Sequence, residues 1–250
     1  MFDRVIGLAR SIAIYHAIPF RQRRLRRFYR GLVRPGDLVV DVGAHAGNHV
    51  RALAAIGCRV VAVEPQPDFA RILRLLFGRS ANVTILEQGV SDRAGRLQLS
   101  ISERNPTVTS LSAEWRDARA ADADFADVRW NRAIDVDVTT LDALAATYGP
   151  PAFIKLDVEG SEAAALAGLS TPVPALAFEY LPRALERVEA CVERLRALDR
   201  YVYNWSPGES YTLASPSWLE GAQLLEALRR GDAQRRSGDV YARRMPATSR

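Results

Sequence analysis

An apolar run, LVVDVG at residues 38 to 43, breaks into a glycine turn and is followed by a helical stretch from about Asn48 to Ile56 that stops at Gly57. Near-continuous apolar residues between turn signals predict a strand buried on both faces, the strand type of parallel sheets covered by helices. RVVAVE at 59 to 64 repeats the pattern, so the two strands and their crossover helix read as a βαβ unit. That rhythm implies an α/β fold with helices on both faces and argues against a helical bundle or an antiparallel sandwich.

The alternation runs on along the chain. Asp68 is placed to cap a helix reaching about Phe77, and VTILEQ at 83 to 88 is a third strand. GRLQLSIS at 95 to 102 and TVTSLS at 107 to 112 flank Asn105 and Pro106, the pattern of an inserted hairpin, while residues 113 to 134 show no clear period. VDVTT, the helix LDALAATY and the strand FIKLDV at 153 to 158 restore the rhythm. Ser161 and Glu162 open a helix ending near Gly168, and ALAFEY at 175 to 180 is the next strand. An amphipathic helix at about 183 to 198 precedes YVYNW and SYTLA, expected to pair as a hairpin around Pro207 and Gly208, and a last helix runs from Trp218 to Arg230.

A chain of 250 residues suits one large domain with appendages. The expected division is a basic arm or helix at 1–36, a body at 37–228 carrying the insertion 95–134, and a basic, mobile tail at 229–250. Cys58 and Cys191 are too few for a disulfide framework or a thiolate metal site. The apolar segment from Val5 to Phe20 is broken by Arg10 and His16 and is too short to cross a bilayer, so the expected location is the cytoplasm. Residues 1–36 hold nine Arg against Asp3 alone, and 229–250 hold seven against Asp232 and Asp239, so a net charge of +5 leaves −8 on the body. A nucleic-acid groove would put its cations on the body, so nucleic acid is an unfavoured partner.

The chemistry-bearing residues gather at strand ends, where open α/β sheets bind ligands. Asp41, Gly43 and Gly47 sit where the first strand gives way to its helix. This is not the dinucleotide fingerprint, because one glycine follows Gly43, four positions on, and an acid precedes the turn. A carboxylate there suits a cationic ligand such as a sulfonium, favouring S-adenosylmethionine over a pyrophosphate-bearing cofactor. Glu64 ends the second strand, placed to accept hydrogen bonds from a ribose diol.

DVGAHAGNH, VEPQP, GVSDRAGRLQL, TTLDAL and FIKLDVEGSE, in this order and spacing, resemble the FkbM-type S-adenosylmethionine-dependent methyltransferases from about Gly36 to Glu179. The resemblance implies a class I methyltransferase (Rossmann-like) fold: a mostly parallel seven-stranded sheet whose last strand is antiparallel. It implies O-methylation of a sugar or small secondary metabolite. Carried over position by position, the Asp41–Gly47 turn, with Ala44 and His45, would hold the methionine part of the cofactor. Glu64 and Pro65 would lie at the ribose, Ser91 and Asp92 at the adenine edge, and Asp157 at the amino group.

A hydroxyl acceptor needs a base or a metal. Asp157 and Glu159 end the fourth strand, and Lys155 shares a face with Asp157, so these three are the catalytic candidates. Asp157 with Glu179 could hold a divalent metal, or Asp157 could cap the following turn. Lys155 is the chain's single lysine, and inside an apolar strand it calls for carboxylate partners. His45 and His49 flank the turn, His49 expected as a polar neighbour. Trp115, Trp130 and Trp205 read mainly as core. FRQRRLRRFYR at 20 to 30 interleaves Arg with Phe20, Leu25, Phe28 and Tyr29, either an arm packed by its apolar face or a peripheral membrane contact. The competing functions are a non-catalytic S-adenosylmethionine-binding sensor or partner module and, last, a nucleic-acid methyltransferase. The residues set no oligomeric state.

Overall fold

Every residue of β1 (Leu38–Val42) is buried, and the strand lies in the interior of a seven-stranded sheet, third from one edge. The structure, a computed structural model, describes residues 4, 6–11, 18, 20–122 and 125–246. β2 (Arg59–Val63) and β3 (Val83–Leu86) lie on one side of β1. The short β4 (Gly89–Val90), β5 (Gly95–Ile101) and β6 (Arg132–Thr139) form a separate three-stranded sheet. β7 (Phe153–Leu156), β8 (Ala175–Tyr180), β9 (Tyr201–Pro207) and β10 (Gly238–Arg244) complete the large sheet in the order β3-β2-β1-β7-β8-β10-β9. Only β10 is antiparallel to its neighbours, so the expected architecture is the one formed.

Side chains alternate across each strand, and the alternation splits the core in two. Val40, Val42, Ile154 and Leu156 pack on one face against α5 (Leu141–Tyr148), α6 (Glu162–Ala167), α7 (Leu185–Leu198) and α8 (Gly221–Leu228). Val39, Phe153, Ala177 and Tyr241 pack on the other against α1 (Arg21–Tyr29), α2 (Asn48–Ile56) and α3 (Pro67–Phe77). α4 (Ala113–Ala120) stands outside the two layers.

Several expectations are corrected here. The tail expected to be mobile supplies β10, threaded between β8 and β9, because its Val240 and Ala242 alternate into the core. YVYNW therefore pairs with β10 and not with SYTLA, which forms no strand. The basic arm is part of the fold, since Leu25 and Tyr29 of α1 are fully buried. GRLQLSIS pairs with β6, leaving 107–112 only a bridge from Ser110 to Ser100, because Pro106 opens a 3-10 turn instead of a strand. Gln66, not Asp68, occupies the cap position of α3, and Asp68 is ion-paired with Arg4. Among the described residues no helix is long and apolar enough to cross a membrane, and half of the Val5–Phe20 segment lies outside them.

Candidate active site

Gly43 and Gly47 both hold φ of 79°, left-handed conformations that favour glycine. The room they leave is taken by the protein itself. A Cβ at Gly43 would overlap the Asp157 carbonyl oxygen, and one at Gly47 would overlap Leu73 and Phe77. The turn so formed aims the His45 N–H at Glu64 Oε2, 2.8 Å away, while the Gln66 N–H donates to Oε1 at 2.8 Å. Each carboxylate oxygen keeps a further lone pair. Burial raises Glu64 against those two hydrogen bonds, leaving its pKa at about 7.

Glu64 opens onto a cleft whose open space, its mouth included, is about 630 Å³. Val42, Gly43, His45, Pro65 and Gln66 line it beside Glu64; Val90, Leu99, Pro106 and Leu111 give an apolar wall opposite, and Asp157 and Glu159 close one end. A hydrogen-bond-oriented acid facing an apolar wall fits a ribose with its adenine. The cleft thus gathers Gly43, His45, Glu64, Pro65 and Asp157 of the expected cofactor residues. It does not gather the others. Asp41 points to the α1 side of the sheet and is buried behind the turn, raised to about 7 by burial against the nearby Lys155 charge. Ala44 belongs to the core and Gly47 packs on α3. The Ser91 hydroxyl donates to Asp92, which is exposed, and neither lines the cleft, because β4 turns them past it; Gly89 and Val90 stand there instead. The His45 ring lies on Phe69, 3.6 Å between centroids, and burial drops its pKa to about 3, so it stays neutral.

A second cleft, of about 700 Å³, adjoins the first and shares Asp157 and Glu159 with it. Lys155 donates from Nζ to Asp157 Oδ2 at 2.9 Å and to Asp239 Oδ1 at 3.5 Å, so the expected carboxylate pairing forms. Burial opposes the Lys155 charge, but Asp157 and Asp239 outweigh it and raise the pKa well above the ordinary lysine value. So held, Lys155 favours its charged form beside Asp157. Burial would raise Asp157, and the Lys155 charge and hydrogen bond more than offset this, holding it below its ordinary value. Glu159 and Glu179 have no such partner: burial first, then neighbouring carboxylates, push both well up. Oxygens of Asp157, Glu159 and Glu179 lie within 4.8 Å of one another, a set that fits an oxygen-ligated divalent cation.

The turn after β7 is tightly determined. Glu159 and Gly160 take left-handed φ of 47° and 92°. Glu162 Oε1 accepts from the N–H groups of Val158 at 3.1 Å and Gly160 at 3.3 Å, so Glu162, not Asp157, caps this turn. Trp115 of α4 lies against Gly160, and Arg187 donates to its carbonyl at 2.6 Å. The tryptophans are structural: Trp115 is buried, Trp130 donates to the Val108 carbonyl, Trp205 packs on the core, and neither cleft is lined by one. α1 backs the second cleft through residues that line it. Its Tyr29 hydroxyl meets His49 Nδ1 at 2.7 Å, and Arg21 pairs with Glu209 and donates to the Tyr211 hydroxyl at 3.1 Å. His49, Glu209, Tyr211 and Asp239 all line this cleft, and sequence reasoning assigned none of them a role there. For Asp239 a signal existed, the alternation GDVYA at 238–242, hidden between arginine pairs at 235–236 and 243–244.

The family model described as the methyltransferase FkbM domain matches residues 41–217. An ornithine lipid N-methyltransferase from Singulisphaera acidiphila is 39% identical over 64 residues, covering 24% of this chain and 33% of that protein, so the chain spans a third of that curated relative. Among solved structures, a TehB-like SAM-dependent methyltransferase from Corynebacterium glutamicum is 10% identical, covers 94% of each chain and has a TM-score of 0.45. Aeropyrum pernix fibrillarin with bound S-adenosyl-L-methionine is 11% identical, covers 84% of this chain and 68% of that one, and scores 0.44.

Proposed function

The chain belongs to the FkbM-domain methyltransferase family, and from that premise we propose that it transfers the methyl group of S-adenosylmethionine to a hydroxyl oxygen of a sugar or small metabolite seated in the second cleft. The observation that carries this reading is the shared wall: Asp157 and Glu159 border both clefts. Transfer from a sulfonium is an in-line displacement, so a donor cleft and an acceptor cleft must meet.

S-adenosylmethionine, when bound, supplies an electrophilic methyl group. Glu64 accepts from the ribose diol, and Val90, Leu99 and Leu111 take the adenine. The turn at Gly43 and His45 faces the methionine end. Asp157, held ionised by Lys155, orients a positively charged or hydroxyl-bearing neighbour. Glu159 takes the acceptor proton, with Glu179 beside it to share the charge. A divalent cation on Asp157, Glu159 and Glu179 would lower the acceptor's pKa at the same place.

The test is transfer of labelled methyl to a panel of sugars and alcohols, with and without chelator. Glu159→Gln should lower the rate by at least about a hundredfold while calorimetric cofactor affinity stays near that of the parent. Equal turnover by the variant removes Glu159 from the chemistry, and cofactor binding with no transfer to any hydroxyl supports a sensor or partner module. A second reading, transfer to an amine, is favoured by the match to the ornithine lipid N-methyltransferase and by the carboxylate wall, which suits an ammonium. Mass and NMR analysis of the methylated position separates the two. A nucleic-acid acceptor ranks last, since that wall repels phosphate.

A further inference from the structure

The N-terminal face of α1 carries features that nothing inside the folded chain explains. Of the aromatic and aliphatic residues interleaved with its arginines, Leu25 and Tyr29 are buried and Phe28 packs edge-on against Tyr241, 5.0 Å between centroids. Phe20 does the opposite. It stands at the cap position of α1 with φ of 62°, gives no side-chain cap bond, and is 75% exposed. Asn, Asp, Ser or Gly would serve better at a cap, and a left-handed phenylalanine is strained. Ile18, two residues before it, is also exposed, at 48%.

Behind Phe20, Arg23, Arg27 and Arg30 recur at helical spacing on the side away from the buried Arg21, Leu25 and Tyr29. All three are exposed and have no acidic partner among the described residues, so one side of the helix presents three charges with nothing of opposite sign against them. Unpaired cations beside projecting apolar side chains are complementary to a surface that is anionic outside and hydrocarbon beneath. A polyanion such as RNA matches the arginines but gives aliphatic Ile18 nothing to enter, and its length would run onto a body of charge −8.

We propose that this face docks the protein on an anionic lipid bilayer, with Phe20 and Ile18 in the acyl boundary and Arg23, Arg27 and Arg30 at the lipid phosphates. The inner face of the same helix carries Arg21 and Tyr29, which hold Glu209 and His49 in the second cleft. Docking therefore sets that cleft about one helix diameter, roughly 10 Å, from the membrane surface. This inference stands whether or not the methyl acceptor is itself a lipid.

The test is flotation of the full chain with phosphatidylcholine vesicles, with and without phosphatidylglycerol. Binding should require phosphatidylglycerol and weaken as salt rises. Arg23→Gln/Arg27→Gln/Arg30→Gln should cut vesicle affinity roughly a hundredfold, at about fivefold per arginine. Phe20→Ser should also weaken binding, and weaken it at high salt as well as low. Circular dichroism and cofactor calorimetry unchanged in both variants show that the fold and the donor site survive, so a negative vesicle result cannot be charged to either. Equal binding to neutral vesicles, full binding by the triple variant, or binding to polyuridylate without binding to vesicles overturns the proposal.

Discussion

At Glu64 two backbone N–H groups stabilise the charged carboxylate and burial opposes it, and the balance leaves the acid titrating at about 7. A ribose diol donates its hydrogen bonds, so it prefers the ionised form. Cofactor affinity should then fall as pH drops below about 7, by up to tenfold per unit, and level off above it. Glu64→Gln should bind more weakly and lose that dependence; calorimetry at pH 6 and 8 reads both, and a slope of the same size in the variant would remove Glu64 from the site. Gly43 makes a sharper claim about backbone. Its positive φ and the Asp157 carbonyl against its α-carbon mean that Gly43→Ala should cost more than about 2 kcal/mol in denaturant unfolding, from strain and overlap together. The glycine and the acid were both legible as site residues from the strand-turn pattern. The reason for the glycine was not, because the carbonyl that fills its space comes from a segment more than a hundred residues away.

Among elements, β7 carries the chain's single lysine into the sheet, where one change removes a buried charge. Lys155 in an apolar strand demanded carboxylates, and Asp157 answers it at 2.9 Å. The second partner, Asp239, arrives on β10, which arginine pairs on both sides disguise as a solvated tail. Lys155→Met removes the buried cation from among Asp41, Asp157 and Asp239, so it should destabilise the protein by about 3–5 kcal/mol at neutral pH. The sign with pH follows from the acids. Without Lys155, Asp157 loses the charge that holds it down, and Asp41 and Asp239, already raised by burial, rise further, so ionisation costs stability as pH climbs and the deficit should shrink as pH falls toward the ordinary carboxylate range. Urea melts at pH 5 and pH 8 check it; an equal deficit at both would mean that Lys155 acts by packing alone. α4 was illegible for a different reason. Its run of Ala, Asp and Arg has little amphipathic signal, and its work is done by one side chain, Trp115, laid on Gly160.

Over the whole molecule, the charge division that set a −8 body apart from two basic ends suggested a self-sufficient domain at 37–228. Composition reads charge, whereas the fold reads alternation, and the two ends alternate into the core. Leu25 and Tyr29 of α1 are wholly buried in one layer; Val240 of β10 is wholly buried in the other, while Tyr241 on the same strand reaches back to the first. Truncating a single large buried side chain costs about 2–5 kcal/mol, against a total stability of roughly 5–15 kcal/mol for a domain. Removing α1 and β10 together deletes several such residues and leaves β8 and β9 with unpaired edges where β10 had joined them. A chain cut to 37–228 should therefore lack a cooperative thermal transition, bind a hydrophobic dye and lose cofactor affinity. The parent should melt in one step that moves upward with added S-adenosylmethionine, because a ligand that binds only the folded form stabilises it by mass action. If the shortened chain instead melts cooperatively and keeps cofactor affinity, the basic ends are appendages after all, and the second cleft, which β10 lines and α1 backs through His49 and Glu209, would have to be rebuilt from the body alone.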